Sequence, residues 1–241
     1  MDSRTDQPTQ GSAVDSRRRQ LLIGAVAFAV LAAGGAGYYF WKPSDTLLTD
    51  TDTNGPKGAP DTADLMKPPP LGDMSLGDSK APVTVIEYAS MTCPHCAHFE
   101  MTTFPELKKR YIDTGKVYYI FREFPLDELA AAASMLARCS GKDNYFPLIE
   151  TLFASQRDWV VQKPRAPLLA IVKQTGMSEQ AFDSCLANQQ MVQAIEKTRS
   201  DASEKFGVQS TPTFFINGKL VSGDMPIEDM EKYFAPYLKD S

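Results

Sequence analysis

The stretch Val83-Thr84-Val85-Ile86-Glu87-Tyr88-Ala89-Ser90-Met91-Thr92-Cys93-Pro94-His95-Cys96-Ala97-His98 decides the fold. From Val83 to Tyr88 it is apolar at nearly every position, as expected of a strand covered on both faces. A C-x-x-C follows directly. An amphipathic helical pattern then runs through Phe99, Phe104 and Leu107 to about Tyr111, with Pro105 predicted to kink it. A helix N-terminus concentrates unpaired N–H groups and the positive end of the macrodipole, so a sulfur placed there is stabilised as thiolate. Two thiols sharing that site can cycle between dithiol and disulfide.

Working outward, Val117–Phe121 reads as a second buried strand closed by Pro125, which makes a strand–helix–strand unit with a parallel pair. From Asp127 to Lys205 the pattern is helical, in pieces 128–138, 145–155, 167–174, 179–187 and 191–206, punctuated by Gly141, Pro164 and Gly176. Strands return at Thr213–Ile216 and Lys219–Val221 around Asn217-Gly218, a strong hairpin signal, and Pro226 precedes a last helix over 227–238. The layout predicts an α/β protein: a thioredoxin-like core over 76–241 with an all-helical subdomain inserted at about 127–205. Glu87 lies on the first strand, six residues before Cys93, where a buried carboxyl would hold its proton tightly and could take a proton from Cys96.

The composition, 43% apolar and 23% charged with a net charge of −5, is that of a globular protein without a basic field for nucleic acid. At the front, a polar tail (1–20) assigned to the cytoplasm ends in Arg17-Arg18-Arg19. An apolar run over 21–41 follows, long enough at roughly 1.5 Å per residue to cross a core of about 30 Å. It reads as a retained transmembrane anchor, with a cleaved signal segment as the alternative, and Arg18-Arg19 bears a weak twin-arginine likeness. Residues 42–75 are rich in Asp, Thr, Gly and Pro and read as a flexible linker. The rest of the chain then lies outside the cytoplasm, where disulfides persist.

Over nearly all of 76–241 the chain resembles the DsbA family of thiol oxidases. The likeness rests on Gly77-Asp78, Ala81-Pro82-Val83-Thr84, Cys93-Pro94-His95-Cys96, Arg122-Glu123-Phe124-Pro125 and Phe206-Gly207-Val208-Gln209-Ser210-Thr211-Pro212-Thr213-Phe214. It implies that Cys93 is the attacked sulfur and Cys96 the resolving one. It also supports the role of Glu87 as the proton partner of Cys96. Pro94 fits the first helical turn through its fixed φ, and His95 adds a donor or a positive charge near the thiolate. The resemblance further makes Thr211-Pro212 a cis-proline site whose backbone receives an extended substrate strand. Thr211 departs from the Val of the best-known members, and Thr at this position also occurs in disulfide isomerases.

Cys139 and Cys185 both fall in the insertion, and a structural disulfide between them is favoured over two buried thiols. Such a bridge would close a loop worth roughly 4 kcal/mol as an upper figure. A metal site has no supporting pattern, because no second C-x-x-C occurs and His98 is misplaced for haem attachment. The function expected is a periplasm-facing, membrane-anchored dithiol oxidase acting on exported proteins with free thiols. It would be a monomer with no cofactor beyond its own disulfide, recharged, as the resemblance implies, by a membrane quinone-linked oxidase. The alternatives are an isomerase or reductase on the same fold, or a redox-inert peptide-binding chaperone.

Overall fold

The structure, a computed structural model, describes residues 62–238. The expected tail over 1–20 and the anchor or signal segment over 21–41 lie outside the described residues, as do positions 42–61 of the linker. Among the described residues no helix is long and apolar enough to cross a membrane.

A short helix α1 (Thr62–Leu65) and a short strand β1 (Met74–Leu76) precede β2 (Val83–Ala89). The helices α2 (Pro94–Thr102) and α3 (Phe104–Leu107) lead through a wide turn over Lys108–Ile112 to β3 (Val117–Glu123). The insertion holds α4 (Glu128–Cys139), α5 (Lys142–Ala154), α6 (Gln156–Trp159), α7 (Arg165–Val172), α8 (Glu179–Leu186) and α9 (Gln189–Phe206). A hairpin of β4 (Thr213–Ile216) and β5 (Lys219–Ser222) and the helix α10 (Ile227–Phe234) complete the fold.

The five strands form one sheet in the order β1-β3-β2-β4-β5. β2 and β3 run parallel, in the register Val85↔Tyr119 and Glu87↔Phe121, and the other neighbours are antiparallel. β2 is paired on both sides and buried almost throughout, which explains its unbroken apolar character. Alternation along it sends Val83, Val85 and Ala89 into the core with Phe99, Phe104 and Phe214, while Ile86 and Tyr88 join Leu65, Ala202, Val208 and Phe215 on the opposite face. The same parity puts Glu87 on the face covered by α2. At the hairpin, Asn217 and Gly218 both have positive φ (46° and 84°), the backbone that a two-residue turn with primed geometry requires.

The helix predicted from Cys93 to about Tyr111 is broken. Pro105 has no N–H, and its ring crowds the carbonyl four residues back, so the axis is reset at Thr103, whose hydroxyl donates to the Met225 carbonyl at 2.9 Å. Within the insertion, side-chain caps from Asp127, Ser178 and Asn188 start α4, α8 and α9. The sulfurs of Cys139 on α4 and Cys185 on α8 are joined at 2.11 Å across a separation of 46 residues.

The linker expected up to residue 75 ends sooner. Leu65 is fully buried, and two arginines stitch residues 65–73 to the sheet and the insertion. Arg122, almost entirely buried, uses all five N–H bonds: two to the Asp73 carboxylate, one each to the Leu65 and Lys67 carbonyls, and one to the Tyr88 hydroxyl. Arg138 grips Glu123 with two bonds (2.5 and 2.7 Å) and reaches the Leu71 and Gly72 carbonyls. A polar, proline-rich segment has no apolar periodicity to betray such packing, because the partners come from β3 and α4. Breaking a buried ion pair leaves an unpaired charge inside. Arg122→Ala is therefore expected to cost about 3 kcal/mol or more of folding stability, read from the urea midpoint, with Arg122→Met less damaging in combination with Asp73→Asn.

Candidate active site

Cys93 caps α2 in an extended backbone conformation (φ −78°, ψ 121°), with Pro94 in the first turn, where its missing N–H costs nothing. The loop ahead of it is tied down. The Cys93 N–H donates to the Ser90 carbonyl (3.0 Å), and the Thr92 hydroxyl donates to Asp127 (2.6 Å), the cap of α4. Both Cys93 and Cys96 are reduced and buried, Cys93 at 5% exposure and Cys96 at 0%. Pro94 and His95 are exposed beside them.

The two thiols are driven apart. Cys93 is lowered from 9.0 to about 5, first because the Cys96 S–H donates to its sulfur, with burial opposing and with help from Thr211 and from the backbone N–H groups of Cys96 and His95. Cys96 is pushed far up by burial and by donating to Cys93, so it remains a thiol. What His95 contributes directly to the sulfur is its backbone N–H at the helix terminus, while its ring lies in solvent.

Thr211-Pro212 is a cis peptide bond, and the loop faces the helix terminus. As a thiol, Cys93 donates to the Thr211 carbonyl at 3.2 Å, across 118 residues of chain. The Thr211 hydroxyl is buried without a hydrogen-bond partner among the described residues, so its O–H dipole remains available to the thiolate. The structure thus brings Cys93, Cys96, Pro94, His95, Thr211 and Pro212 together. The Cys139–Cys185 bridge belongs to the insertion and pairs no sulfur with the C-x-x-C.

Glu87 lies beneath the pair, fully buried. Burial lifts its carboxyl to about 8; the Tyr119 hydroxyl, donating at 2.5 Å, opposes that, and the charge of Cys93 adds to it. Tyr119 is on the face of Glu87 because the parallel register sets the odd positions of β3 beside the odd positions of β2. A second buried carboxyl, Glu100, one turn beyond Cys96 on α2, is also raised, by burial and then by Glu87. Sequence reasoning missed Tyr119, Glu100 and Gln156. The period-2 pattern of β3 could have found Tyr119, and the i, i+4 spacing from Cys96 could have found Glu100. Nothing local marks Gln156, whose Nε2 donates to the carbonyls of Met91 (2.9 Å) and Cys93 (3.0 Å). Among the described residues no three His, Cys, Asp or Glu side chains gather as a metal site.

A thioredoxin-type sheet, a helix-terminal thiol pair and a facing cis-proline loop define the class: thioredoxin-fold dithiol/disulfide proteins. Residues 71–235 match the family model described as Thioredoxin. A putative protein-disulfide oxidoreductase of Rickettsia conorii is 38% identical over 148 residues, 61% of this chain and 53% of that one. A probable disulfide bond formation protein D of Bacillus cereus is 31% identical over 175 residues, 68% of this chain and 78% of that one. The crystal structure of alpha-DsbA1 from Wolbachia pipientis superposes with a TM-score of 0.68 at 33% identity, covering 73% of this chain and 96% of that one. The chain belongs to the DsbA family of thiol:disulfide oxidoreductases. It spans little more than half the length of the Rickettsia relatives it matches.

The pH dependence of stability follows from the signs of the two shifts. In the reduced protein the lowered Cys93 contributes stability that grows above about pH 5. The raised Glu87 acts oppositely: the unfolded chain releases that proton from pH 4.5 upward, and the folded one only near 8. Glu87→Gln, under reducing conditions, should match the parent near pH 4 and exceed it near pH 8 by an amount on the order of a few kcal/mol, measured by urea unfolding.

Proposed function

We propose that the chain is a dithiol oxidase that introduces disulfides into exported proteins. The observation that carries the reading is the split between the two sulfurs, Cys93 held as thiolate and Cys96 as thiol. A stabilised thiolate stabilises the reduced enzyme, and a disulfide whose reduced form is stabilised is oxidising.

A substrate thiolate attacks Cys93 of the Cys93–Cys96 disulfide. The S–S bond breaks, a mixed disulfide forms at Cys93, and Cys96 leaves with the electron pair and takes a proton from Glu87. A second substrate thiolate attacks the substrate sulfur of the mixed disulfide and expels Cys93 as thiolate. The substrate loses two electrons and gains a disulfide. Of its two thiol protons one replaces the proton that Glu87 gave to Cys96, and the other goes to water. The carbonyl of Thr211 and the following Pro212 present a backbone edge on which an extended substrate segment pairs while its sulfur reaches Cys93. His95 and Pro94 form the exposed rim.

The Cys139–Cys185 bridge and the apolar run after Arg17–Arg19 support a place outside the cytoplasm, the domain facing the periplasm on a membrane anchor. No cofactor is needed beyond the sulfur pair. A membrane quinone-linked oxidase restores the disulfide.

The test is the equilibrium of the Cys93–Cys96 pair with glutathione. A strongly oxidising pair is expected, and a pair as reducing as thioredoxin would replace the oxidase by a reductase. With a disulfide-bonded substrate peptide, whose second sulfur leaves as a thiol, Cys96→Ala should accumulate the mixed disulfide at Cys93 and Cys93→Ala should not. If Cys93→Ser still protects unfolded clients from aggregation as well as the parent does while lacking redox activity, the chaperone reading takes its place.

A further inference from the structure

The active-site loop is held by more than the sheet and its own helix. Gln156 lies outside the thioredoxin core, in α6 of the insertion, and donates both N–H bonds of its Nε2 to carbonyls of that loop, Met91 at 2.9 Å and Cys93 at 3.0 Å. Its own position is fixed. Trp159, three residues on, is fully buried with its indole N–H on the Leu152 carbonyl (2.7 Å), and the Gln156 carbonyl accepts the Val160 N–H (2.9 Å). With Pro94, Ala97 and His98, Gln156 lines the groove between α6 and the exposed side of α2.

The carbonyl of Cys93 is the group that matters. Its carbon is three bonds from Sγ, and its oxygen already accepts the first helical N–H, that of Ala97, at 3.1 Å. A carbonyl oxygen carries partial negative charge, and the carbonyls of Met91 and Cys93 belong to the loop that carries the sulfur, so their dipoles work against the helix terminus. An amide NH2 set on both offsets that charge in a half-buried place, where such dipoles act more strongly than in water. It also fixes the direction in which the first N–H groups of α2 point.

We propose that Gln156 is a positioning residue of the redox centre: through the carbonyls of Met91 and Cys93 it sets how firmly the helix terminus holds the Cys93 thiolate. The insertion is thereby a working part of the sulfur chemistry as well as a cover for it. The role rests on the thiol-exchange reading above and concerns only the difference between variants and parent, so the absolute oxidising strength of the parent tests that reading separately.

The test is a set of three substitutions in the full chain. Each is read by thiolate absorbance of Cys93 against pH and by the glutathione equilibrium, with thermal unfolding alongside. Gln156→Ala removes the donor and should raise the Cys93 pKa and shift the equilibrium several-fold toward the disulfide form. Gln156→Glu removes the donor and adds a negative charge, so it should shift both further in the same direction, tenfold or more. Gln156→Lys restores a donor with a positive charge and should return both to the parent value or beyond it. A structural role alone would lower the melting temperature in all three without ordering the titrations. Equilibria within twofold of the parent in folded Ala and Glu variants, or a Lys variant displaced in the same direction as Glu, would overturn the proposal. If the Ala variant does not fold, the Glu and Lys pair decides it.

Discussion

The contact between the Cys93 sulfur and the Thr211 carbonyl joins positions 118 residues apart at 3.2 Å, and the arrangement of the domain depends on keeping them there. A sulfur poised as thiolate must be met by donors that outweigh burial, which by itself favours the thiol. The helix end supplies some of these donors, and the loop facing it adds the Thr211 hydroxyl. β2 leads to Cys93 at one end of the strands, β4 starts at Thr213 just after the cis-proline loop, and the antiparallel pairing Tyr88↔Thr213 brings the two together. Because β2 is bonded on both sides, this meeting point can move only if the sheet itself is disrupted.

Much of this is legible in the sequence because it is periodic. The unbroken apolar run of β2, the C-x-x-C at the helix start and Asn217-Gly218 each act through local chemistry, and each lies where its local rule places it. The strand reading also extends to Glu87, since parity alone sends position 87 to the side of α2. The remainder depends on partners distant in sequence. Arg122 and Arg138 read as ordinary charged residues, and only the fold shows that they are buried and pin residues 65–73. Gln156 reads as a polar residue between two helices, and its two acceptors lie 65 and 63 residues away. The Pro105 kink was visible as a break but not as a reset into α3, because Thr103 takes its partner from Met225, beyond the insertion.

Two buried acids under a thiol pair would weaken an ordinary core. Glu87 is held above its usual range by burial and Glu100 by burial and by Glu87, and neither has a cationic partner among the described residues. A neutral carboxyl in such a place can lend a proton and recover it, a property that a salt bridge would remove. The stability forgone in keeping these groups is offset by the large aromatic core around them, with Phe99 against Phe214 and Phe104 against Tyr119 at centroid distances of 4.7 and 5.0 Å.

The stitching of residues 65–73 also has a mechanical consequence. A pull on residues 65–73 is borne in part by the guanidinium groups of Arg122 and Arg138, which clamp that segment to β3 and α4. The load is thus delivered to β3 and α4, and through Leu65 and the Tyr88 hydroxyl to β2 as well. Because the contacts of this segment are shared among two strands and a helix, no single one of them bears such a load alone.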